Sequence, residues 1–132
     1  MKKLLFLMVA VAFLAVGCKN KKAAKTLEGT WNEVNIDGTD IPPSSQDQIT
    51  FGKCSGGSKA DCDLTVTDCC GGGSYNYNYS VDEGGTNLII RQYAGLGYVD
   101  SNHEIAELTD NSLTIKWKWG SGSSYTGKYT KN

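Results

Sequence analysis

The chain is predicted to fold as a single all-β domain, an eight-stranded antiparallel up-and-down barrel. Three observations predict it. From about residue 27 onward apolar and polar residues alternate with period two. The alternating runs are short and are separated by clusters of Gly, Ser, Asn, Asp and Pro. No stretch carries the periodicity of an amphipathic helix. Eight short strands joined by tight turns can close on themselves and so remove the edges an open sheet would expose. A sandwich of Greek keys would use the same strands in another connection.

The first segment is an address. Among the 132 residues, Lys2 and Lys3 precede an apolar run of 13, Leu4 to Val16, followed by Gly17 and Cys18. That pattern is a secretory signal; the run is too short for a membrane-spanning helix, which needs about 20 residues. Leu14-Ala15-Val16-Gly17-Cys18 resembles the lipobox of bacterial lipoproteins. The resemblance implies cleavage after a signal peptide of residues 1–17 and lipidation of Cys18. Several acyl chains hold a protein to a bilayer where one would not, so a lipid anchor in the membrane is expected. Residues 18–26 then form the lipidated cysteine and a basic tether, with four lysines between Lys19 and Lys25, expected as a solvated spacer. Lys19 in place of Asp resembles the sorting pattern of outer-membrane lipoproteins, and the acidic surface-export signal of Bacteroidetes lipoproteins is missing after Cys18. The expected location is the outer membrane, facing the periplasm.

The barrel is assigned to residues 27–132. Its expected strands run Thr30 to Ile36, Gln48 to Lys53, Cys62 to Thr67, Ser74 to Val81, Asn87 to Tyr93, Glu104 to Leu108, Ser112 to Trp119 and Tyr125 to Lys131. The clearest alternation puts Leu113, Ile115, Trp117 and Trp119 on one face and Lys116 and Lys118 on the other, which requires the first face to be buried. Ile49 with Phe51, Leu64 with Val66, and Tyr75, Tyr77 and Tyr79 with Val81 alternate in the same way.

Leu27-x-Gly29-x-Trp31 at the start and the run Ile105-x-Glu107-Leu108-Thr109-Asp110-Asn111-Ser112-Leu113-Thr114-Ile115 near the end, together with the leader, resemble the lipocalin-like lipoproteins of Bacteroidetes. The resemblance implies a calycin-type barrel in which Trp31 plugs one end and a cation from the last strand packs over its ring. Lys128 or Lys131 would take the place that Arg holds in lipocalins, through a cation–π contact.

Four cysteines follow Cys18: Cys54, Cys62, Cys69 and Cys70. They allow three pairings. Cys54 and Cys62 fall at the end of one strand and the start of the next, where a bridge would close a small loop. Cys62 and Cys69 would lie about 23 Å apart along an extended strand, at about 3.3 Å per residue, beyond bridging distance. Cys69 and Cys70 would then form a vicinal disulfide or remain as thiols. If the strand between them bends, Cys54 and Cys62 could each pair with one of the neighbours instead. An oxidising compartment favours bridges. Four thiols can also hold zinc or copper, but the spacing lacks the usual paired knuckles, and no metal is expected.

From Thr26 onward seven basic residues face fourteen acidic ones, a balance of −7. Nucleic acid needs clustered cations and is not an expected partner. Catalysis finds little footing. His103 is the only histidine, expected as an exposed residue at a loop boundary, and no serine or cysteine sits in a nucleophile elbow. A non-enzymatic binding role is expected, without a cofactor and as a monomer. Trp31, Tyr75, Tyr77, Tyr79, Trp117 and Trp119 are the candidate interior residues for a small hydrophobic or amphipathic ligand. If the tyrosines face outward, they offer a platform for sugar or peptide. The alternative is an envelope interaction module or structural lipoprotein. Ser121, Gly122 and Tyr125 resemble the Ser-Gly-x-x-Tyr loop of lipoprotein-type lysozyme inhibitors.

Overall fold

The structure is a computed structural model and describes residues 19–54, 62–120 and 122–132. Residues 1–18, where a signal peptide and a lipidated Cys18 are expected, lie outside the described residues, as do residues 55–61 and Ser121.

The nine strands are β1 (Gly29–Ile36), β2 (Thr39–Asp40), β3 (Gln48–Phe51), β4 (Cys62–Thr67), β5 (Ser74–Val81), β6 (Asn87–Tyr93), β7 (Tyr98–Leu108), β8 (Ser112–Lys118) and β9 (Ser124–Lys131). From β3 to β9 each strand pairs antiparallel with the next, and β1 pairs with both β3 and β9, closing an eight-stranded barrel. The short β2 adds to the end of β1 outside that ring. It returns through Asp37 and Gly38, both at positive φ, 48° and 87°. This is the Asp-Gly pairing that a two-residue hairpin turn requires.

All eight expected strands form, and the period of two governs the interior. Trp31, Ile49, Phe51, Leu64, Tyr79, Leu88, Ile90, Ile105, Leu113, Ile115, Trp117 and Tyr129 make one buried core. The largest departure is β7, which begins at Tyr98 rather than Glu104. It pairs with β6 from Tyr98 to Glu104 but meets β8 only from Glu104 onward. Its first half is therefore held on one side only, and a seam opens between β7 and β8.

The second departure lies in the basic segment. Where the sequence suggests a solvated spacer, residues 19–27 are helical, and Ala23 and Leu27, one helical turn apart, are buried. The helix lies across one end of the barrel. The β5–β6 turn packs on it closely enough that a Cβ on Gly85 would come within 3.1 Å of the Lys19 carbonyl oxygen. The carbonyls that the helix leaves unpaired at its C-terminus are taken up by barrel side chains. Trp31 donates its indole N–H to the Leu27 carbonyl at 2.7 Å, and Lys131 Nζ donates to the Thr26 carbonyl at 2.9 Å. No helix among the described residues is long and apolar enough to cross a membrane.

Cys54 and Cys62 are joined at this same end, with Cα atoms 4.9 Å apart. Cys69 and Cys70 pair with each other in the β4–β5 turn, at the opposite end of β4. The four thiols therefore do not converge on one centre.

Candidate functional site

The two ends of the barrel differ. At the helix end the interior is full. Trp31 is fully buried beneath Leu27, and Lys131 Nζ stands 5.0 Å from the centre of its ring. Gly29 makes that approach workable, since it holds φ at +117° and a Cβ there would meet Lys131 Cε at 3.0 Å. Just above, Phe51 and Tyr79 meet edge to face at 5.0 Å, and the Tyr79 hydroxyl donates to the Gly52 carbonyl. Burial, with the Glu28 charge second, pushes the Tyr79 pKa up to about 12.

At the other end the interior opens into a cavity of about 140 Å³. Ile49, Leu64, Val66 and Ile90 give it an aliphatic wall, and Tyr77, Trp117, Trp119, Tyr125 and Tyr129 an aromatic one. Glu33 and Asp47 complete it. The placement follows from the pleat: Glu33 is two residues beyond Trp31 on β1, and Tyr125 and Tyr129 flank Gly127 on the inward face of β9. Gly127 leaves the room, because a Cβ there would lie 2.7 Å from both Glu33 Oε1 and the Tyr129 hydroxyl. Those two atoms are hydrogen-bonded. The Tyr129 hydroxyl donates to Glu33 Oε1 at 2.7 Å and receives the Trp117 indole N–H at 2.9 Å.

Burial governs the electrostatics. Glu33 is 5% exposed, and its pKa is raised by burial, lowered by the Tyr129 hydrogen bond and raised again by the Asp47 charge. Burial and the nearby Glu33 charge also push Tyr125 up to about 12 and Tyr129 upward. Among the described residues, neither Glu33 nor Asp47 has an ion-pair partner; the ion pairs formed are Arg91 with Asp100, and Lys116 and Lys118 with Glu104.

The wall beside the cavity is braced by His103, which is 1% exposed and not the exposed loop residue expected from sequence. Its Nδ1 accepts the Lys118 backbone N–H at 3.0 Å across the β7–β8 seam, and its Nε2 pairs with Ser101 Oγ at 2.9 Å. The first bond fixes the tautomer: Nδ1 carries no hydrogen, so Nε2–H donates to Ser101. The ring lies 4.8 Å from Trp117 and 4.7 Å from Trp119, whose own rings are parallel at 5.6 Å.

The six aromatic candidates thus separate. Tyr77, Trp117 and Trp119 line the cavity. Trp31 and Tyr79 are buried below it, while Tyr75 is 52% exposed and outside the interior, its hydroxyl donating to the Gly72 carbonyl. β5 rises past the cavity, so its three tyrosines share a face but not an environment. Tyr125 lines the cavity, and Ser121, the first residue of the inhibitor-like loop, lies outside the described residues. Glu33, Asp47 and Tyr129 are cavity residues that the sequence reading does not single out, and Tyr125 is expected there only as part of an inhibitor-like loop. The available signal was Glu33 at an inward position of an otherwise apolar pattern, and the Tyr-x-Gly-x-Tyr alternation of β9.

No family model matches the chain, and no curated protein matches it. Among solved structures it is similar to a redesigned β-barrel, at 19% identity and a TM-score of 0.49, over 83% of this chain and 95% of that one.

Proposed function

We propose that this chain is an envelope lipoprotein that binds a small hydrophobic or amphipathic ligand inside its barrel and catalyses no reaction. The cavity carries this reading. One end of the barrel is packed solid, whereas the other leaves a space walled by aromatic and aliphatic side chains, with a few polar groups held in fixed positions, as small-molecule sites are. Cavities of about 150 Å³ accept a benzene-sized molecule, so the bound portion is a single ring or a short chain. The lipobox-like leader supports lipidation at Cys18 and an outer-membrane location facing the periplasm. The packing of Trp31 against Lys131 matches what the lipocalin resemblance implies. A binding role rather than catalysis fits the part His103 plays, since both of its ring nitrogens are engaged in holding the wall.

Native mass spectrometry of the full chain, extracted gently from its own host's envelope, tests the reading. The expected result is a reproducible extra mass that disappears on denaturation. A bare mass across independent preparations would count against a resident ligand.

A further inference from the structure

We propose that the cavity takes the cationic end of a small organic amine or quaternary ammonium compound, with Glu33 as its counter-ion. The inference rests on the reading of the barrel as a ligand-binding site and specifies its chemistry.

The charged groups of the cavity share one sign. Glu33 and Asp47 both line it, and among the described residues no lysine or arginine pairs with either. A buried carboxylate without a cation is costly. The hydroxyl of Tyr129, itself backed by the Trp117 indole, points its hydrogen at Glu33 Oε1, which favours an anion over a neutral acid at that oxygen. Burial and Asp47 press the other way, and a bound cation would relieve both. The walls agree with the charges. Trp117, Trp119, Tyr77 and Tyr125 line the same space, and aromatic faces carry negative electrostatic potential that attracts ammonium groups. A carboxylate ligand such as a fatty acid would meet two carboxylates and four such rings. The acidic domain also draws cations toward the mouth from a distance.

Calorimetric titration of the full chain in a nonionic detergent, with benzylammonium, benzyl alcohol and benzoate, tests the charge preference at nearly constant size. Benzylammonium should bind about tenfold or more tightly than benzyl alcohol, and benzoate should be weakest. Glu33→Gln, which keeps an acceptor for Tyr129, should erase the preference, bringing benzylammonium to within about threefold of benzyl alcohol measured on the same variant. Trp119→Leu, at the rim and 39% exposed, should weaken benzylammonium more than the alcohol, and serves if Glu33→Gln fails to fold. Equal or tighter binding of benzyl alcohol or benzoate overturns the cation assignment and leaves the binding site standing. Heat from none of the three overturns the assignment as well, and the native mass then decides separately whether the barrel holds a ligand.

Discussion

His103 and Glu33 are buried within one barrel and respond to acid in opposite senses. Burial first, and the Lys118 charge second, hold the His103 pKa down to about 4. The folded imidazole therefore stays neutral where an unfolded one, with a pKa near 6.5, takes a proton. Its contribution to stability is complete above about pH 6.5 and is lost as pH falls toward 4, by up to about 3 kcal/mol. Glu33 has a raised pKa, so the folded state keeps a proton that the unfolded chain has released. Its contribution declines as pH rises above the ordinary value of 4.5. Denaturant unfolding at stepped pH should separate the two. His103→Gln should lose the stability gain between pH 4 and 6.5, and Glu33→Gln should steepen it. An unchanged slope in His103→Gln would show that the imidazole is not the group responsible. Glu33 left a trace in the sequence, as a charged residue at an inward position of β1, but His103 did not: a lone histidine between Asn102 and Glu104 looks like a loop residue until β7 is seen to begin at Tyr98.

Elements are where the helix end is decided. The helix, β1 and β9 meet at one point, with Lys131 reaching both the Trp31 ring and the Thr26 carbonyl. A cation at a helix C-terminus and over an aromatic face gains on both counts. Lys131→Met should cost about 1 to 2 kcal/mol, and Lys131→Arg should recover most of it, as read by chemical unfolding. Gly29→Ala should cost a comparable amount, from strain at positive φ and from crowding of Lys131; no loss in either position would remove this account of the Gly-x-Trp pattern. The strands here were readable because Leu113, Ile115 and Trp117 each obey the pleat. The helix was not, because its apolar residues are only Ala23, Ala24 and Leu27 among four lysines, and what fixes Ala23 and Leu27 is the barrel end on which they lie. Helices this short draw most of their stability from such packing.

At the scale of the molecule, closure was predictable from strand number and turn spacing, but the position of the space inside was not. It depends on how far each strand rises beyond the filled layer: Tyr79 falls within it, Tyr77 borders the opening, and Tyr75 passes beyond. The cavity's acidic character was equally hidden, since Glu33 and Asp47 come together only when β1 and β3 pair.

The seam gives the barrel an uneven local stability. Earlier along β8, Leu113 and Ile115 lie in register with both neighbouring strands, but the amide proton of Lys118 is held by an imidazole nitrogen. Hydrogen exchange should find its protection falling as pH approaches 4, while Leu113 and Ile115, in the fully paired part of β8, stay protected. One peptide group thus becomes a gauge of how readily this side of the wall parts, and the β6–β7 hairpin, carrying exposed Tyr93, Leu96, Tyr98 and Val99, is the leaf that would swing.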